Sequence, residues 1–191
     1  FREAHHFEHL ARELVVPFAQ SAEARRLRIW SAGCSSGMEA YSIAMTLLAA
    51  DAHIARRDAK ILATDIDSRM LAAARAATYA ASDLARIPEA HRHGLMTHAD
   101  GSATMHHSLQ QLVAVRQLNL MNAWPMQGKF DAIFCRNVVI YFDKKTKQRL
   151  FERFAEALVP HGLLYIGHSE NLTGISDRFR LVGRTTYRRV D

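Results

Sequence analysis

Short apolar segments alternate with helical patterns along most of the chain, and this alternation restricts the fold more than any other property of the sequence. The strand-like segments are residues 28–33, 60–64, 112–118, 130–135 and 163–167, and helical patterns cover residues 39–50, 68–77 and 146–158. Several of these strands are apolar along nearly their whole length, as in parallel sheets whose two faces are both covered. The sequence therefore predicts an α/β fold built on a mostly parallel, doubly wound sheet.

The two ends of the chain add elements to this sheet. Apolar residues recur at helical spacing over residues 4–16, which predicts an amphipathic helix that Pro17 ends or kinks. Residues 179–190 read as two strands that turn at Gly183. We expect these two strands to form an antiparallel hairpin at one edge of the sheet.

The alternation breaks in residues 82–111, where periodicity is weak. Asp100-Gly101 stands there between two short apolar segments. An Asp-Gly pair in that setting is a strong signal for a tight hairpin turn. We therefore expect an inserted helix followed by a small antiparallel excursion outside the main sheet.

The composition is that of one ordinary globular domain. The 191 residues are 49% hydrophobic and 23% charged, and no stretch has the ~20 apolar residues of a membrane-spanning helix. The net charge of +6 suits an acidic partner, but no run of Lys and Arg is longer than two residues, which argues against a nucleic-acid groove. Because the chain opens with Phe1, we expect it to be a fragment of a longer protein.

Neither the cysteines nor the histidines have the spacing of a metal site. Cys34 and Cys135 lie far apart in apolar segments, so we expect two buried free thiols, as in a reducing cytoplasm. His5 and His9 could share a helix face, but the glutamate of an HExxH motif is missing between them. We therefore predict no metal ion.

A glycine-containing turn follows the first strand, with the sequence Ser31-Ala32-Gly33-Cys34-Ser35-Ser36-Gly37-Met38-Glu39. Doubly wound sheets bind ligands at the carboxyl ends of their strands, so this turn is the first candidate for a site. Gly33 and Gly37 allow a tight turn and close approach of a ligand to the backbone. Ser35 stands in place of the middle glycine of a dinucleotide-binding loop, and no Gly-Lys-Ser/Thr follows for a phosphate loop. A plain strand-to-helix turn is the alternative.

An acidic pair follows the second strand, in the sequence Thr64-Asp65-Ile66-Asp67. A carboxylate at this place can accept hydrogen bonds from both hydroxyls of a ribose. We assign that role to Asp65, whereas Asp67 has the alternative task of capping the helix that begins near Ser68. Ribose recognition without a pyrophosphate loop predicts an adenosine ligand with a short, non-phosphate tail. S-Adenosylmethionine fits this description.

Polar residues also follow the strand at residues 130–135. Arg136 and Asn137 stand there at the ligand edge of the sheet. Burial of an arginine without a partner is costly, so we expect Arg136 to bind an acid or a ligand. Tyr141 lies four residues beyond Asn137 in a largely apolar stretch. It is a candidate site residue or, alternatively, a core residue whose hydroxyl is satisfied.

The chain carries several strings that together resemble one protein family. In order, they are FREAHHF (1–7), IWSAGCSSGMEAYSIAM (29–45), ATDID (63–67), NLM (119–121), FDAIFCRNVVIYFDK (130–144) and GHSENL (167–172). They resemble the catalytic domain of chemotaxis receptor methyltransferases, the CheR family. The resemblance implies a Rossmann-like class I methyltransferase fold over residues 1–191. It also implies methyl transfer from S-adenosylmethionine to glutamate side chains of membrane chemoreceptors, which yields glutamate methyl esters and S-adenosylhomocysteine.

The resemblance assigns roles to particular residues. With Gly33 of the turn, the cofactor-binding positions fall on Arg2, Glu39, Asp65, Asn119, Leu120, Arg136 and Asn137. Arg2 is also expected near the transferred methyl group and Tyr141 beside it, so these two are the catalytic candidates.

The resemblance also implies a partner and a location. Residues 82–117 correspond to a small inserted β-subdomain, which in some members docks a C-terminal receptor peptide by strand addition. The expected partner is the cytoplasmic domain of membrane chemoreceptors, and the expected location is the cytoplasm. Neither nucleic-acid binding nor direct membrane insertion is expected.

The chain departs from the family at the start of the helix after the turn. The family usually has an acid or glutamine and then Glu-Pro there, where this chain has Met38-Glu39-Ala40. We keep Glu39 as the cofactor ligand. Met38 removes a polar group from the first turn, and Ala40 removes a proline suited to a helix start. We also expect the family's N-terminal helical domain, which normally carries receptor-recognition helices, to be absent from this chain.

Three other functions are weighed against this one. The main alternative is a methyltransferase-like module that holds the cofactor and signals through a protein partner without turnover. A methyltransferase acting on nucleic acid or a small molecule is supported only by the basic charge, and it predicts strongly salt-dependent polynucleotide binding. A nicotinamide oxidoreductase is disfavoured because Ser35 replaces the middle glycine of the loop.

Overall fold

The computed structural model describes residues 1–21 and 25–190, and of Tyr141 it describes the backbone alone. In these residues ten strands form two sheets. In chain order they are β1 (Leu27–Ala32), β2 (Ala59–Asp65), β3 (Thr78–Tyr79), β4 (Leu95–Thr97), β5 (Ala103–Met105), β6 (Val113–Gln117), β7 (Phe130–Cys135), β8 (Leu158–Ile166), β9 (Phe179–Gly183) and β10 (Thr186–Arg189).

Helices separate most of the strands. The α-helices are α1 (His5–Leu10), α2 (Val16–Gln20), α3 (Met38–Ala50), α4 (Ser68–Ala76), α5 (Ala81–Leu84), α6 (His107–Gln110) and α7 (Lys144–Ala157). A π-helical turn covers Ala11–Val15, and 3₁₀ turns cover Ile54–Arg56, Glu89–Gly94 and Val139–Tyr141. Among the described residues, no helix combines the length and the apolar character that a membrane span requires.

The large sheet has seven strands in the order β6-β2-β1-β7-β8-β10-β9. The first five pair in parallel, with Ile29 of β1 opposite Ile61 of β2 on one side and Ala132 of β7 on the other. β10 pairs antiparallel with both β8 and β9. The predicted Rossmann-like, mostly parallel sheet with an antiparallel edge hairpin is therefore confirmed. The strand order reverses between β1 and β7, which is where such sheets bind ligands.

Both faces of the large sheet are covered by apolar packing, which explains the apolar strands. In β7, Ala132 and Phe134 belong to a core that includes residues of α3, whereas Ile133 and Cys135 belong to a second core with α7. Successive side chains of a strand point to opposite faces, so each face of β7 needs its own apolar residues. Burial on two sides thus removes the alternation of polar and apolar residues.

The N-terminal helical segment is longer than predicted. It runs through α1, the π-helical turn and α2 to Gln20, so Pro17 does not end the helix, and the alternative of a kink stays a prediction. Pro17 lies in the first turn of α2, directly after the π-helical turn. Just before Pro17 the hydrogen bonding has the π-helical pattern, since the Val16 N–H donates to the Ala11 carbonyl oxygen, and the helical segment continues past the proline.

A small antiparallel sheet of three strands, in the order β3-β5-β4, stands apart from the large one. Its hairpin joins β4 to β5 through Asp100-Gly101, and Gly101 has a φ of +78°. The predicted small β-subdomain and its turn are therefore confirmed. Its strands lie within residues 78–105, whereas residues 113–117 form β6, which pairs with β2 in the large sheet.

Candidate functional site

A cavity of about 710 Å³ opens where β1 and β7 end. Its lining comes from the N-terminal segment, the turn after β1, the start of α3, the segment after β7 and parts of residues 79–105. Several predicted site residues line it together, namely Arg2, Gly33, Glu39, Arg136 and Asn137. Asp65, Asn119 and Leu120 do not line this cavity and lie towards β2 and β6.

The turn after β1 is built from residues in the left-handed conformation. Gly33 and Gly37 have φ values of +83° and +87°, and Ser35 has a φ of +50°. Ser35 thus adopts the kind of backbone that the missing middle glycine would adopt with less strain. A Cβ atom at Gly33 would stand 2.5 Å from a methyl group of Val138, so the segment after β7 packs directly on this glycine.

Asp65 connects the end of β2 to this turn. Its Oδ2 accepts a hydrogen bond from the Ser35 N–H at 2.8 Å, and its Oδ1 accepts one from the Asp67 N–H at 3.0 Å. A carboxylate has about four acceptor positions, so capacity remains for two ribose hydroxyls. Asp67 instead caps α4, because its Oδ1 accepts a hydrogen bond from the Arg69 N–H at 2.8 Å. The capping alternative for Asp67 is confirmed.

Arg136 is buried and has acidic partners, as its position in the sequence predicts. Its side chain is 4% exposed. Its Nε donates to Glu3 Oε2 at 3.0 Å, its Nη2 donates to the Arg2 carbonyl oxygen, and its Nη1 lies 3.3 Å from Glu39 Oε2. One guanidinium therefore links the N-terminal segment to the start of α3.

Glu39 presents a carboxylate at the cavity, and its side chain is 18% exposed. The Ser31 hydroxyl donates to Glu39 Oε1 at 2.7 Å, while Oε2 faces Arg136. Burial raises the pKa of this carboxyl above its ordinary value, although the Arg136 charge and the Ser31 hydrogen bond act in the opposite direction. A carboxylate held in this way can bind a cationic group that enters the cavity.

Glu3 is a site residue that the sequence analysis missed. Its Oε1 accepts hydrogen bonds from both the backbone N–H and the Nδ1 of His168, each at 2.9 Å. Burial alone would raise the pKa of Glu3, but the His168 N–H and the Arg136 charge outweigh it and lower the pKa below its ordinary value. Its place beside Arg2 in the FREAHHF string is the signal that could have found it.

Glu170 was missed as well. It is 7% exposed. Its Oε2 accepts hydrogen bonds from the N–H groups of Asn137 and Gly167, and its Oε1 accepts one from the Val139 N–H at 3.1 Å. Asn137 has a φ of +59°, so Glu170 fixes an unusual backbone at the end of β7. The GHSENL string contains this glutamate and was the available signal.

The segment after β6 folds on itself. Asn119 Oδ1 accepts a hydrogen bond from the Met121 N–H at 2.9 Å. Leu120 is 9% exposed, and its carbonyl oxygen accepts hydrogen bonds from Trp124 and Arg153. Both predicted residues thus lie at the end of β6, two strands away from β1.

Tyr141 is placed only in part. Its backbone belongs to the 3₁₀ turn Val139–Tyr141, which follows Asn137. Its side chain lies outside the described residues, so the catalytic assignment of Tyr141 stays a prediction.

Both cysteines are buried free thiols, as predicted. Burial, together with the charges of Asp65 and Glu39, raises the pKa of Cys34 to about 12. Burial also raises the pKa of Cys135. Neither thiol is therefore a nucleophile at neutral pH. In the part of the chain that the structure describes, no three His, Cys, Asp or Glu side chains are grouped as metal ligands would be.

The groups around the cavity fit S-adenosylmethionine, the cofactor expected from the sequence. Gly33 lines the cavity, and Asp65 keeps acceptor capacity beside the turn. Glu39 offers a carboxylate for the ammonium group of the methionine tail. The carboxylates of Glu39 and Asp65 follow β1 and β2, which are adjacent strands, so one extended ligand can reach both.

Comparisons with known proteins agree with this fit. The family model described as "CheR methyltransferase, SAM binding domain" matches residues 1–188. The chain is 45% identical, over 98% of its length, to a probable chemotaxis protein methyltransferase of Rhizobium etli. It is 44% identical to chemotaxis protein methyltransferase 2 of Pseudomonas aeruginosa and 41% identical to the chemotaxis protein methyltransferase of Escherichia coli, over 98% of its length in both cases. It spans 72%, 67% and 65% of these three proteins, in that order. The chain belongs to the CheR methyltransferase family, of which it is the domain that binds S-adenosylmethionine.

Proposed function

We propose that this chain transfers a methyl group from S-adenosylmethionine to glutamate side chains of membrane chemoreceptors and so forms glutamate methyl esters. The observation that carries the proposal is the grouping of Arg2, Glu39, Arg136 and Asn137 around one cavity at the carboxyl ends of β1 and β7. The chemotaxis methyltransferase names of the relatives support an acceptor in chemotaxis. The proposed place of action is the cytoplasm, on the cytoplasmic domains of the receptors.

The strand order suggests how the cofactor lies. Glu39, after β1, binds the ammonium group of the methionine tail, and Gly33 lines the cavity with it. Asp65, at the end of β2, binds the ribose hydroxyls. Asn119 and Leu120, after β6, bind the adenosine end, because β6 neighbours β2 in the sheet. Arg136 and Asn137, which follow β7, line the part of the cavity that holds the methionine tail of the cofactor.

The chemistry asks for orientation rather than proton transfer. S-Adenosylmethionine, when bound, supplies an electrophilic methyl group on a sulfonium sulfur. The acceptor carboxylate has a reference pKa of about 4.3 and is ionised at neutral pH, so no general base is required. The chain must hold the acceptor oxygen in line with the methyl carbon and the sulfur, a proximity effect worth several kcal/mol.

Arg2 and Tyr141 are the residues proposed for this orientation. Arg2 is exposed at the cavity, and its planar guanidinium can hold a carboxylate in one orientation. A full two-point ion pair would weaken the nucleophile, so Arg2 directs the acceptor rather than neutralising it. Tyr141 is assigned from its match to the family motif, beside the transferred methyl group.

The small sheet is the proposed docking site for a C-terminal receptor peptide, and its β4–β5 hairpin lies within residues 82–117, which the resemblance assigns to the inserted subdomain. Among the described strands, β4 pairs only with β5, so its other edge can accept an extended peptide. Strand addition needs such an unpaired edge.

Methyl transfer to a purified receptor cytoplasmic domain tests the proposal, with the labelled methyl group followed into base-labile esters. Arg2→Ala and Tyr141→Phe should each slow transfer at saturating cofactor by tenfold or more. The Kd for S-adenosylhomocysteine should stay within about twofold in Tyr141→Phe and should rise in Arg2→Ala, because Arg2 is also a proposed cofactor ligand. Arg12→Ala is the control, since Arg12 pairs with Glu13 outside the cavity.

The outcome separates the candidate functions. Unchanged rates in both variants, with normal cofactor affinity, would refute the assignment of Arg2 and Tyr141. Cofactor binding without turnover on any receptor would favour the signalling module. Methylation of a polynucleotide instead of a receptor would show that the acceptor is a nucleic acid and would refute the proposed substrate.

A further inference from the structure

Glu3 has no role in the proposed reaction, yet it joins three segments around the cavity. It binds Arg136 from the segment after β7 and His168 from the turn after β8, and it belongs to the N-terminal segment itself. We propose that Glu3 is a positioning residue that holds the Arg136 guanidinium away from full pairing with Glu39, so that the Glu39 carboxylate stays available to the cationic tail of the cofactor. This inference rests on the proposed cofactor role of Glu39.

The hydrogen bonds of Arg136 show how the guanidinium is shared. An arginine and a carboxylate can form two parallel N–H···O bonds, which is their strongest arrangement. Here Nε is bound by Glu3 at 3.0 Å and Nη2 by the Arg2 carbonyl oxygen. Nη1 reaches Glu39 Oε2 at the longer distance of 3.3 Å. The first two contacts fix the plane of the guanidinium, so it does not turn two nitrogens towards Glu39.

The charges point the same way. Two carboxylates, Glu3 and Glu39, share the Arg136 guanidinium, so this cluster of three side chains carries an excess of one negative charge. His6 does not cancel it: its Nδ1 lies 3.4 Å from Glu3 Oε2, but burial and the Arg136 charge lower the pKa of this buried histidine to about 4. Charges act more strongly at such partly buried sites than in water. The excess therefore favours an ammonium group beside Glu39.

Glu3 combines an unusual backbone conformation with a carboxylate whose two oxygens are both bound. Glu3 has a φ of +59°, in the left-handed region that non-glycine residues rarely adopt. Its carboxylate is 10% exposed, and both of its oxygens have partners. Without this carboxylate, the Arg136 guanidinium would be free to turn towards Glu39 and form a two-point ion pair that carries no net charge.

The test compares two probes that differ in the cationic tail. S-Adenosylhomocysteine carries the ammonium group, and 5′-methylthioadenosine lacks the whole amino-acid part. In Glu3→Gln, calorimetry should give about tenfold weaker binding of S-adenosylhomocysteine, the loss expected for one charge-assisted contact, and 5′-methylthioadenosine should bind within about twofold of its normal affinity. Glu13→Gln is the matched control: Glu13 pairs with Arg12 and Arg188 outside the cavity and should alter neither affinity.

Two further variants make the result decisive. Glu3→Asp keeps the negative charge and should have most of the normal affinity for S-adenosylhomocysteine. This variant can be measured even if Glu3→Gln folds poorly. Equal weakening of both probes in Glu3→Gln, or no rescue by Glu3→Asp, would overturn the inference. Glu39→Gln separates the two levels: if it weakens S-adenosylhomocysteine and Glu3→Gln does not, only the inference fails. If Glu39→Gln leaves both probes unaffected, the proposed role of Glu39 fails and the inference fails with it.

Discussion

Arg136 organises the candidate site at the scale of single residues. Its guanidinium contacts two carboxylates and one backbone carbonyl while its side chain is 4% exposed. A buried cation in such a network is stable only while its partners stay in place, and removing one of them leaves a charge without compensation. Binding of a cofactor beside Glu39 therefore depends on residues that need not touch the cofactor.

The pKa of Glu39 gives a pH prediction whose two parts run in opposite directions. Burial raises this pKa in the folded chain, against the charge of Arg136. As the pH falls through the raised pKa towards the ordinary value, the folded chain takes up a proton before the unfolded chain does. The contribution of Glu39 to the free energy of unfolding therefore increases on acidification. Binding of S-adenosylhomocysteine needs the ionised carboxylate and should weaken over the same pH range.

Calorimetry and urea unfolding between about pH 8 and pH 5 measure these two parts separately. Both pH dependences are measured in the unaltered chain and in Glu39→Gln. The difference between the two chains gives the part that Glu39 contributes, because the other titrating groups are common to both. In that variant the decline in affinity should disappear, along with the share of the stability change that Glu39 contributes. Affinity that rises as the pH falls, or a decline that persists in Glu39→Gln, would contradict the proposed ligand.

Sequence reasoning identified Arg136 more readily than its partners. An arginine at the end of an apolar strand needs an acid, and this alone predicts an ion pair. Local patterns around Arg136 do not identify that acid, because Glu3 lies 133 residues away in the chain; only the family resemblance of the FREAHHF string pointed to this segment. Local patterns carry no information about such a pair. Glu170, 33 residues from Asn137, was missed for the same reason.

At the scale of elements, the turn after β1 and the segment after β7 depend on each other. Gly33 has a φ of +83°, and a Cβ atom there would stand 2.5 Å from Val138. Gly33→Ala combines backbone strain with this clash, so we expect it to lower the free energy of unfolding by about 2 kcal/mol. The displaced segment carries Arg136 and Asn137, so the Kd for S-adenosylhomocysteine should also rise.

Gly128→Ala is the matched control for this prediction. A Cβ atom at Gly128 would meet nothing within 4 Å, so we expect a change in the free energy of unfolding of less than about 0.5 kcal/mol and normal affinity. Urea unfolding and calorimetry on both variants check the pair. Similar stability of the two variants would show that the turn tolerates a side chain at Gly33.

The elements that sequence analysis located best are those with long apolar patterns. Residues 130–135 were predicted as a strand and form β7 with the same bounds. β3 was missed because its two residues, Thr78–Tyr79, are too short to show any period. This strand is defined by its pairing with β5 and not by its own sequence. The helix continues past Pro17 after a π-helical turn, and the spacing of apolar residues gives no sign of such a turn in the sequence.

At the scale of the whole molecule, the cavity lies where distant parts of the chain meet. Arg2, Glu39 and Arg136 come from the N-terminal segment, the first strand–helix unit and the fourth parallel strand counted along the chain. The doubly wound sheet brings them together because its strand order reverses between β1 and β7. A ligand that contacts all three segments should therefore stabilise the chain as a whole.

This stabilisation can be calculated from the affinity alone. A ligand that binds only the folded chain adds RT ln(1 + [L]/Kd), or about 2.7 kcal/mol at a free concentration about 100 times the Kd. We expect S-adenosylhomocysteine to add this amount to the free energy of unfolding in urea. In Asp65→Ala the increase should vanish at the same concentration, because the proposed ribose ligand is lost.

Asp67→Ala separates the loss of a ligand from the loss of a helix cap. Asp67 lies two residues beyond Asp65 and caps α4 through the Arg69 N–H. Its removal should lower the stability of the unliganded chain and leave the ligand-dependent increase intact, since a cap contributes to the helix and not to the cavity. An equal increase in Asp65→Ala and the unaltered chain would refute the ribose assignment. The loss of that increase in Asp67→Ala would mean that the end of β2 and the start of α4 act as one unit in binding the cofactor.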